Sequence, residues 1–215
     1  MAVVTGPLLS FSASGQIAKT QVYASWKGRP YARRLVTPSN PRSTDQTLTR
    51  NVFTFLSNVW KVAPADFRAP WTAYASGLVM TDRNAFNKKN IPILREATTL
   101  DGMIMSPGAR GGLTAEPVLT FGNDQITYDF TAPSPLPAGW TIVKAVAVAI
   151  RDQDPHSGTY YEIETGSDAT TAYQVILTTL AAGDWQAGGW FVYQRSASAT
   201  DLAYGSSVAQ VGTVT

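Results

Sequence analysis

Residues 177–195 read LTTLAAGDWQAGGWFVYQR, and this stretch is the most informative one for the fold of the second half of the chain. An apolar run leads into a turn at AAGDW, where small residues, glycine and aspartate favour a reversal of chain direction. The residues that follow are rich in aromatic and β-branched side chains, which is typical of a strand. Within that strand Trp190 and Val192 alternate with Phe191 and Tyr193, so one pair can face a hydrophobic core.

Strand patterns recur through the rest of the second half, separated by turn signals such as GND, PSPLPAG and GSDA. The predicted strands span roughly residues 117–122, 125–131, 140–151, 159–165, 170–179, 187–195 and 202–211. Seven short strands over about 100 residues predict an immunoglobulin-like or fibronectin type III-like sandwich. The quoted stretch also resembles the strand–turn–strand corner of fibronectin type III modules, in which a leucine precedes a glycine turn and an aromatic-rich strand follows.

The first half of the chain combines strand and helix patterns, which predicts an α+β module. Two predicted strands, at 14–26 and 31–36, flank the KGRP turn at 27–30 and form a hairpin. Ser43 and Gln46 have capping-box spacing and mark the start of a helix. Apolar residues at helical spacing then predict three helices, at about 43–63, 64–76 and 81–90.

The distribution of charge divides the chain in the same way as the strand and helix patterns do. Residues 1–95 hold thirteen Lys or Arg and three Asp, a net charge of +10, whereas residues 96–215 hold four basic and twelve acidic groups, a net charge of −8. Residues 96–116 are rich in Gly, Pro and Thr and lack periodicity. The sequence therefore predicts a basic hairpin-plus-helices docking module at 1–95, a linker at 96–116 and an immunoglobulin-like sandwich at 117–215.

Composition leaves little room for catalysis or for a bound cofactor. The chain has no Cys and one His, which excludes thiolate sites and two-His metal sites. His156 lies in the loop DQDPHSG, which predicts a solvated turn rather than a catalytic triad. We therefore predict no catalytic, cofactor-binding or metal-binding residue and no enzymatic activity. A weak Ca²⁺ site stays open, because four carboxylates lie near this loop, on Asp152, Asp154, Glu162 and Glu164.

No stretch of the sequence is apolar enough to span a membrane, and the first residues lack the basic region of a secretory signal. We therefore expect a protein that is made in a cytoplasm and has no membrane partner. The excess of positive charge in the first half predicts an acidic partner surface or a polyanion. The candidate docking residues form a basic cluster, namely Lys27, Arg29, Arg33, Arg34, Arg42 and Arg50.

The first half also carries a motif that resembles structural proteins of tailed bacteriophages and related phage-derived bacterial proteins. The pattern is Ser-Gly-[Lys/Gln]-Ile, then Lys-Gly-x-x-x-x-Arg, then Asn-Pro-[Arg/Lys]-[Ser/Thr]-x-x-Gln. In this sequence the motif occupies residues 14–17, Lys27, Gly28, Arg33, residues 40–43 and Gln46. Downstream, WTAYA at 71–75 and NAF at 84–86 also match, so the resemblance covers about residues 6–95.

This resemblance implies a virion component, and we expect a capsid decoration or cement protein on the capsid surface. Its expected partners are the major capsid protein or neighbouring virion proteins, with multiple copies or a homo-oligomer on the particle. A head–tail or tail position remains open, as does a carbohydrate-binding module for a host surface. A DNA-binding protein is a further alternative, since residues 56–77 resemble part of an HMG box. The acidic second half argues against nucleic acid as a partner.

Overall fold

The computed structural model describes residues 2–3, 15–17, 19–26, 29–37, 39–108, 117–136, 138–157, 162–170 and 172–215. The chain forms two compact units, Met1–Arg42 and Ser43–Thr215. The division falls after Arg42, whereas the sequence predicted one module over 1–95 and a linker at 96–116. The three helices therefore belong to the same unit as the predicted sandwich.

The first unit is a four-stranded antiparallel sheet in the order β1-β4-β3-β2. Its strands are β1 (Ala2–Val3), β2 (Gly15–Ile17), β3 (Gln21–Trp26) and β4 (Arg29–Arg34). The hairpin of β3 and β4 confirms the prediction. Of the turn predicted at 27–30, Arg29 and Pro30 belong to β4, and Lys27 and Gly28 lie outside the described residues. The stretch predicted as one strand at 14–26 is two strands, because the chain turns at Lys19 with φ 53°.

The second unit begins with the three predicted helices, α1 (Thr44–Val62), α2 (Ala65–Ser76) and α3 (Asp82–Glu96). Ser43 occupies the position before α1, but its side chain makes no capping hydrogen bond, so the predicted capping box does not form. Helix α3 continues past its predicted end near residue 90 and through Pro92. Its last turns bury Leu94, and that contact with the core outweighs the helix-breaking tendency of proline.

The rest of the second unit consists of antiparallel strands in three sheets. A three-stranded sheet has the order β10-β7-β6, formed by Gln174–Thr178, Gln125–Asp129 and Val118–Gly122. A five-stranded sheet contains β12-β11-β8-β9, with β14 also paired to β11. These strands are Ser198–Tyr204, Gly183–Arg195, Trp140–Arg151, Ile163–Asp168 and Gln210–Val214. A two-stranded ribbon joins β5 (Ile104–Pro107) to β13 (Ser206–Val208).

The described fold is thus α+β with a β-sandwich, and the helices cover the outer face of the five-stranded sheet. In the central strand β8 the side chains alternate between two cores. Ala145, Ala147 and Ala149 pack towards the three-stranded sheet, while Val146, Val148 and Ile150 pack against the helices. A strand that is covered on both faces reads as a continuous apolar run, as β8 does.

Strand β11 has the same arrangement: one pair of its residues faces the sandwich core, as the alternation predicted, and the other pair is buried as well. Phe191 and Tyr193 lie in the sandwich core, and Trp190 and Val192 lie in the core beneath the helices. At position 189 a Cβ would collide with the ring of Phe130, so glycine is the residue that fits there. The helical layer on one face and the three-stranded sheet on the other therefore limit the size of the side chains that β11 can carry.

The predicted linker at 96–116 is partly a packed element. Leu100, Met103 and Met105 are buried in the core beneath the helices. The indole N–H of Trp71 on α2 donates a hydrogen bond of 3.0 Å to the carbonyl of Met105. Residues 97–108 therefore connect the helices to the strands through buried contacts, and residues 109–116 lie outside the described residues.

Candidate functional site

The structure distributes the six predicted docking residues over both units. Arg33 and Arg34 are exposed on β4, and Arg42 is exposed at the end of the first unit with φ 49°. Lys27 lies outside the described residues, and the backbone of Arg29 begins β4. Arg50 is exposed on α1, which places it in the second unit rather than with the other five.

Arg33 and Arg34 point to opposite faces of the sheet, because successive residues of a strand alternate. In the register of the hairpin, Arg33 pairs with Val22 and Arg34 pairs with Gln21. The predicted cluster is therefore not one continuous basic face. Positive charge is instead presented on both sides of a thin sheet.

The boundary between the units changes how the charge of the chain is divided. Residues 1–42 contain six Lys or Arg and no Asp or Glu, so the first unit carries +6. The second unit contains eleven basic and fifteen acidic residues, so it carries −4. Sequence reasoning missed that the first 42 residues contain no acidic residue, although the sequence shows it directly, because the first acidic residue of the chain is Asp45. Lys19 is the basic residue of this unit that the predicted cluster omitted.

The first unit buries few of its own side chains. Among those whose exposure is described, Ala32 is the buried one, with 8% of its surface exposed. Domains are normally built from at least two packed layers of secondary structure. In the described part of this unit, exposed basic residues lie on both faces of the sheet and little apolar surface is buried.

Six of the fifteen acidic residues of the second unit lie in the segments around one end of the sandwich, where β8 ends and β11 begins. The backbone N–H of Asp152 donates a bond of 2.8 Å to the carbonyl of Asp184, and the N–H of Arg151 donates one of 3.1 Å to Glu162. Asp152 Oδ1 in turn accepts a bond of 3.0 Å from the N–H of Leu100. We call this region the acidic end; its carboxylates are Asp101, Asp152, Asp154, Glu162, Glu164 and Asp184.

His156 is not in the solvated turn that the sequence predicted. It lies in a short 3₁₀ turn, Pro155–Ser157, that packs against the helices. Its ring Nε2 lies 2.9 Å from the carbonyl of Leu94, and its own carbonyl accepts a bond of 2.6 Å from Asn51 Nδ2. The loop after β8 therefore binds α1 and α3, and the only histidine of the chain has a structural role there.

Two of the four carboxylates considered for Ca²⁺ accept hydrogen bonds from backbone groups. Asp154 Oδ1 accepts a bond of 2.8 Å from the N–H of His156, and Asp152 has the bond from Leu100 described above. In the part of the chain that the structure describes, no three His, Cys, Asp or Glu side chains come together as metal ligands do. These carboxylates contribute to the acidic end and to loop structure.

Lys144 interrupts the apolar sequence of β8, and the structure explains its presence. Its Nζ lies 2.8 and 2.9 Å from the two carboxylate oxygens of Asp66 on α2. Both side chains are partly exposed, so the pair is not fully desolvated. This ion pair joins the central strand to the helical layer, a contact that no local sequence pattern indicates.

A groove with a cavity of about 370 Å³ runs between α2 and β12. Tyr74, Trp140 and Tyr204 contribute aromatic rings to its lining, together with Asp201. Arg195 lies 5.7 Å from the centre of the Trp140 ring and pairs with Asp201 at 3.4 Å. Burial, with a smaller contribution from the charge of Asp66, raises the pKa of Tyr204, which keeps this phenol neutral. The groove offers ring faces and hydrogen-bonding groups.

Comparison with known proteins adds little to this picture. No protein-family model and no curated protein matches the chain. Among solved structures, the chain is similar to the fibronectin type III domain of the human collagen alpha-1(XX) chain, with 12% identity, a TM-score of 0.33 and coverage of 51% of this chain and 91% of that domain. This similarity is too low to support an argument about function. Among the described residues, no helix is long and apolar enough to cross a membrane.

Proposed function

We propose that this chain is a non-enzymatic structural protein of a tailed-bacteriophage particle, a capsid decoration or cement protein that docks through its basic first unit. The observation that carries the proposal is the compact, acid-free unit of charge +6 attached to a larger unit of charge −4. Most of the phage-like motif, from residue 14 to residue 42, lies within that unit. A separate basic sheet in which Ala32 alone is buried among the side chains whose exposure is described is suited to binding another surface.

The proposal includes an immunoglobulin-like assignment for residues 117–215, supported by the order of the strands. Counted from β6, the first, second and fifth strands form one sheet, and the third, fourth, sixth and seventh belong to the other. Immunoglobulin-like sandwiches divide their first, second and fifth strands from their third, sixth and seventh in this way. At the corner before β11, the indole N–H of Trp185 donates a bond of 2.8 Å to the carbonyl of Ala181. In such sandwiches a tyrosine makes the corresponding bond to upstream backbone.

A structural role is also supported by how the polar groups of the second unit are used. His156 is held by the Leu94 carbonyl, and Asp152 by the N–H of Leu100. In the described part of the chain, each of these bonds joins a side chain to a backbone group, whereas a hydrolytic triad requires a histidine bonded to a nucleophile and to a carboxylate. Their hydrogen bonds instead connect loops to helices.

The direct test is the composition of purified particles from a phage that encodes this chain. We expect the protein in a fixed copy number per particle by quantitative mass spectrometry, and its density on the capsid exterior in a cryo-EM map. Density at the head–tail junction or on the tail would select that structural alternative. Absence of the chain from purified particles would refute the proposal.

A variant prediction addresses the docking surface. Arg33→Glu combined with Arg34→Glu changes the charge of the first unit from +6 to +2 and should strongly reduce occupancy on particles at about 0.15 M salt. The matched control is Arg83→Glu with Lys88→Glu, which reverses two exposed charges on α3. Co-sedimentation with particles that lack the protein measures both. Equal occupancy for the two double variants would show that the basic sheet is not the docking surface.

A carbohydrate-binding role is a second candidate, favoured by the aromatic groove between α2 and β12. Tyr74, Trp140 and Tyr204 provide ring faces of the kind on which sugars stack. Titration with a glycan panel should then perturb the indole NMR signal of Trp140, and Trp140→Ala should abolish the response.

The DNA-binding alternative predicts tight duplex binding at about 0.2 M salt. If the partner is a protein, we expect weak duplex binding that is lost at about 0.2 M salt.

A further inference from the structure

We propose that the basic sheet of one copy docks on the acidic end of a neighbouring copy, so that this protein associates with itself head to tail. The inference rests on the proposed function, because it names the acceptor of the same basic surface. It begins from the first unit, a single sheet in which Ala32 alone is buried among the side chains whose exposure is described. Such a sheet gains a second layer when it packs on another surface.

Charge identifies the acceptor. The first unit carries +6 and no acidic residue, so it repels a second copy of itself and attracts a surface with excess carboxylates. The acidic end carries six carboxylates, of which Glu164 lies on β9, Asp184 lies on β11 and the other four lie on loops, and Asp101, Asp154, Glu164 and Asp184 are exposed. Two basic residues lie close by: the guanidinium of Arg151 donates to the carbonyl of Ala182, and Arg95 follows Leu94, whose carbonyl contacts His156, and pairs with Glu96 at 3.7 Å.

The acidic end is also a well-defined surface. Backbone bonds of 2.8 and 3.1 Å hold the segments of Asp184 and Glu162 on either side of the end of β8, and the Leu100–Asp152 bond holds the segment of Asp101. Because these elements are packed in the second unit, the backbone segments that carry these carboxylates are held together by hydrogen bonds. A preorganised charged surface loses less conformational entropy on binding than one on mobile loops.

The donor and acceptor surfaces are different parts of the same chain, which determines the type of assembly. Each copy offers one basic sheet and one acidic end, so the contact is heterologous. Contacts of this type close into rings or continue as open chains of copies. Either outcome suits a protein present in multiple copies on a particle.

The test is sedimentation velocity of the full chain over a range of concentrations. We expect association at about 0.05 M salt that is largely lost at about 0.5 M, because salt screens exposed charges. Arg33→Glu with Arg34→Glu should weaken association by about tenfold or more, and Asp101→Lys with Glu164→Lys should do the same. The control Arg83→Glu with Lys88→Glu should associate like the wild type, and circular dichroism checks that each variant is folded.

Mixing the variants gives the decisive measurement. The acidified-sheet variant and the basified-end variant should each associate about tenfold or more weakly than the wild type, but their mixture should associate more strongly than either alone, because each new charge meets its complement. A wild-type protein that is monomeric at every concentration would overturn the inference. Association that survives either charge reversal, or no association in the mixture, would also overturn it.

The same data separate this inference from the proposed function. A chain that is found on particles but never self-associates keeps its structural role and loses the head-to-tail contact. A chain that self-associates but is absent from particles keeps the contact and loses the virion role. The single variants Arg33→Glu and Arg34→Glu then show which face of the sheet is used, since the two residues lie on opposite faces.

Discussion

Asn90 shows how a single side chain joins the helical layer to the strands. It is fully buried; its Nδ2 donates a bond of 3.1 Å to the carbonyl of Ile104, and its Oδ1 accepts one of 2.7 Å from the N–H of the same residue. Asn90→Ala leaves both backbone groups without a partner and should lower the free energy of unfolding by about 2–4 kcal/mol. Urea denaturation measures this loss. The exposed Asn84→Ala on the same helix is the control, and an equal loss in both variants would contradict the assignment.

Tyr128 predicts how stability responds to alkaline pH. Its hydroxyl donates a bond of 2.9 Å to the carbonyl of Val148, and burial raises the pKa of the phenol well above its ordinary value of 10.0. The folded state therefore excludes the ionised form, so this contribution to stability is complete below pH 10 and is lost as pH rises above it.

Tyr128→Phe should remove this contribution to the pH dependence and lower stability by about 1 kcal/mol at pH 7 through the lost hydrogen bond. Unfolding free energies at neutral pH and above pH 10 check both statements. Tyr193 keeps a dependence of its own, because burial also raises its pKa. Identical alkaline destabilisation of wild type and Tyr128→Phe would show that Tyr128 does not contribute to it.

At the scale of elements, the five-stranded sheet depends on the helices. Its outer face presents Val146, Val148, Ile150, Trp190 and Val192 to α1, α2 and α3. A fragment of residues 117–215 would expose this apolar face to water, at a cost of about 25 cal/mol for each Å² exposed. We expect it to aggregate or to lack a cooperative thermal transition by circular dichroism. A soluble fragment with a sharp β-sheet transition would show that the sandwich is independent, as the sequence predicted.

At the scale of the whole molecule, the division after Arg42 predicts that the second unit folds by itself. A fragment of residues 43–215 retains both cores and should melt within a few degrees of the transition that the full chain shows for this unit. Its net charge changes from the +2 of the full chain to −4, so it should bind an anion exchanger that the full chain does not retain at neutral pH. A large fall in melting temperature would show that the first unit stabilises the second.

The positions of the helices and of most strands follow from local pattern. The apolar spacing of Val52, Phe55, Leu56 and Val59 is the stripe that α1 buries, and the predicted strand at 140–151 matches β8. The sandwich was also predictable, because turn signals separate its strands at regular intervals. These features depend on residues that are close together in the sequence, so local patterns are enough to predict them.

The boundary between the units and the acidic end required the tertiary structure. The run 145–150 is apolar at every position, and periodicity cannot say whether a second layer covers such a strand or what that layer is. Likewise Asp101, Asp152 and Asp184 are far apart in sequence, and their segments are joined by the bond from Asp152 to the Asp184 carbonyl and the bond from Leu100 to the Asp152 carboxylate. The sequence alone contains the charges of both surfaces. The packing of distant segments decides that the basic residues of the first unit lie on a separate sheet and that six carboxylates of the second unit lie around one end of the sandwich.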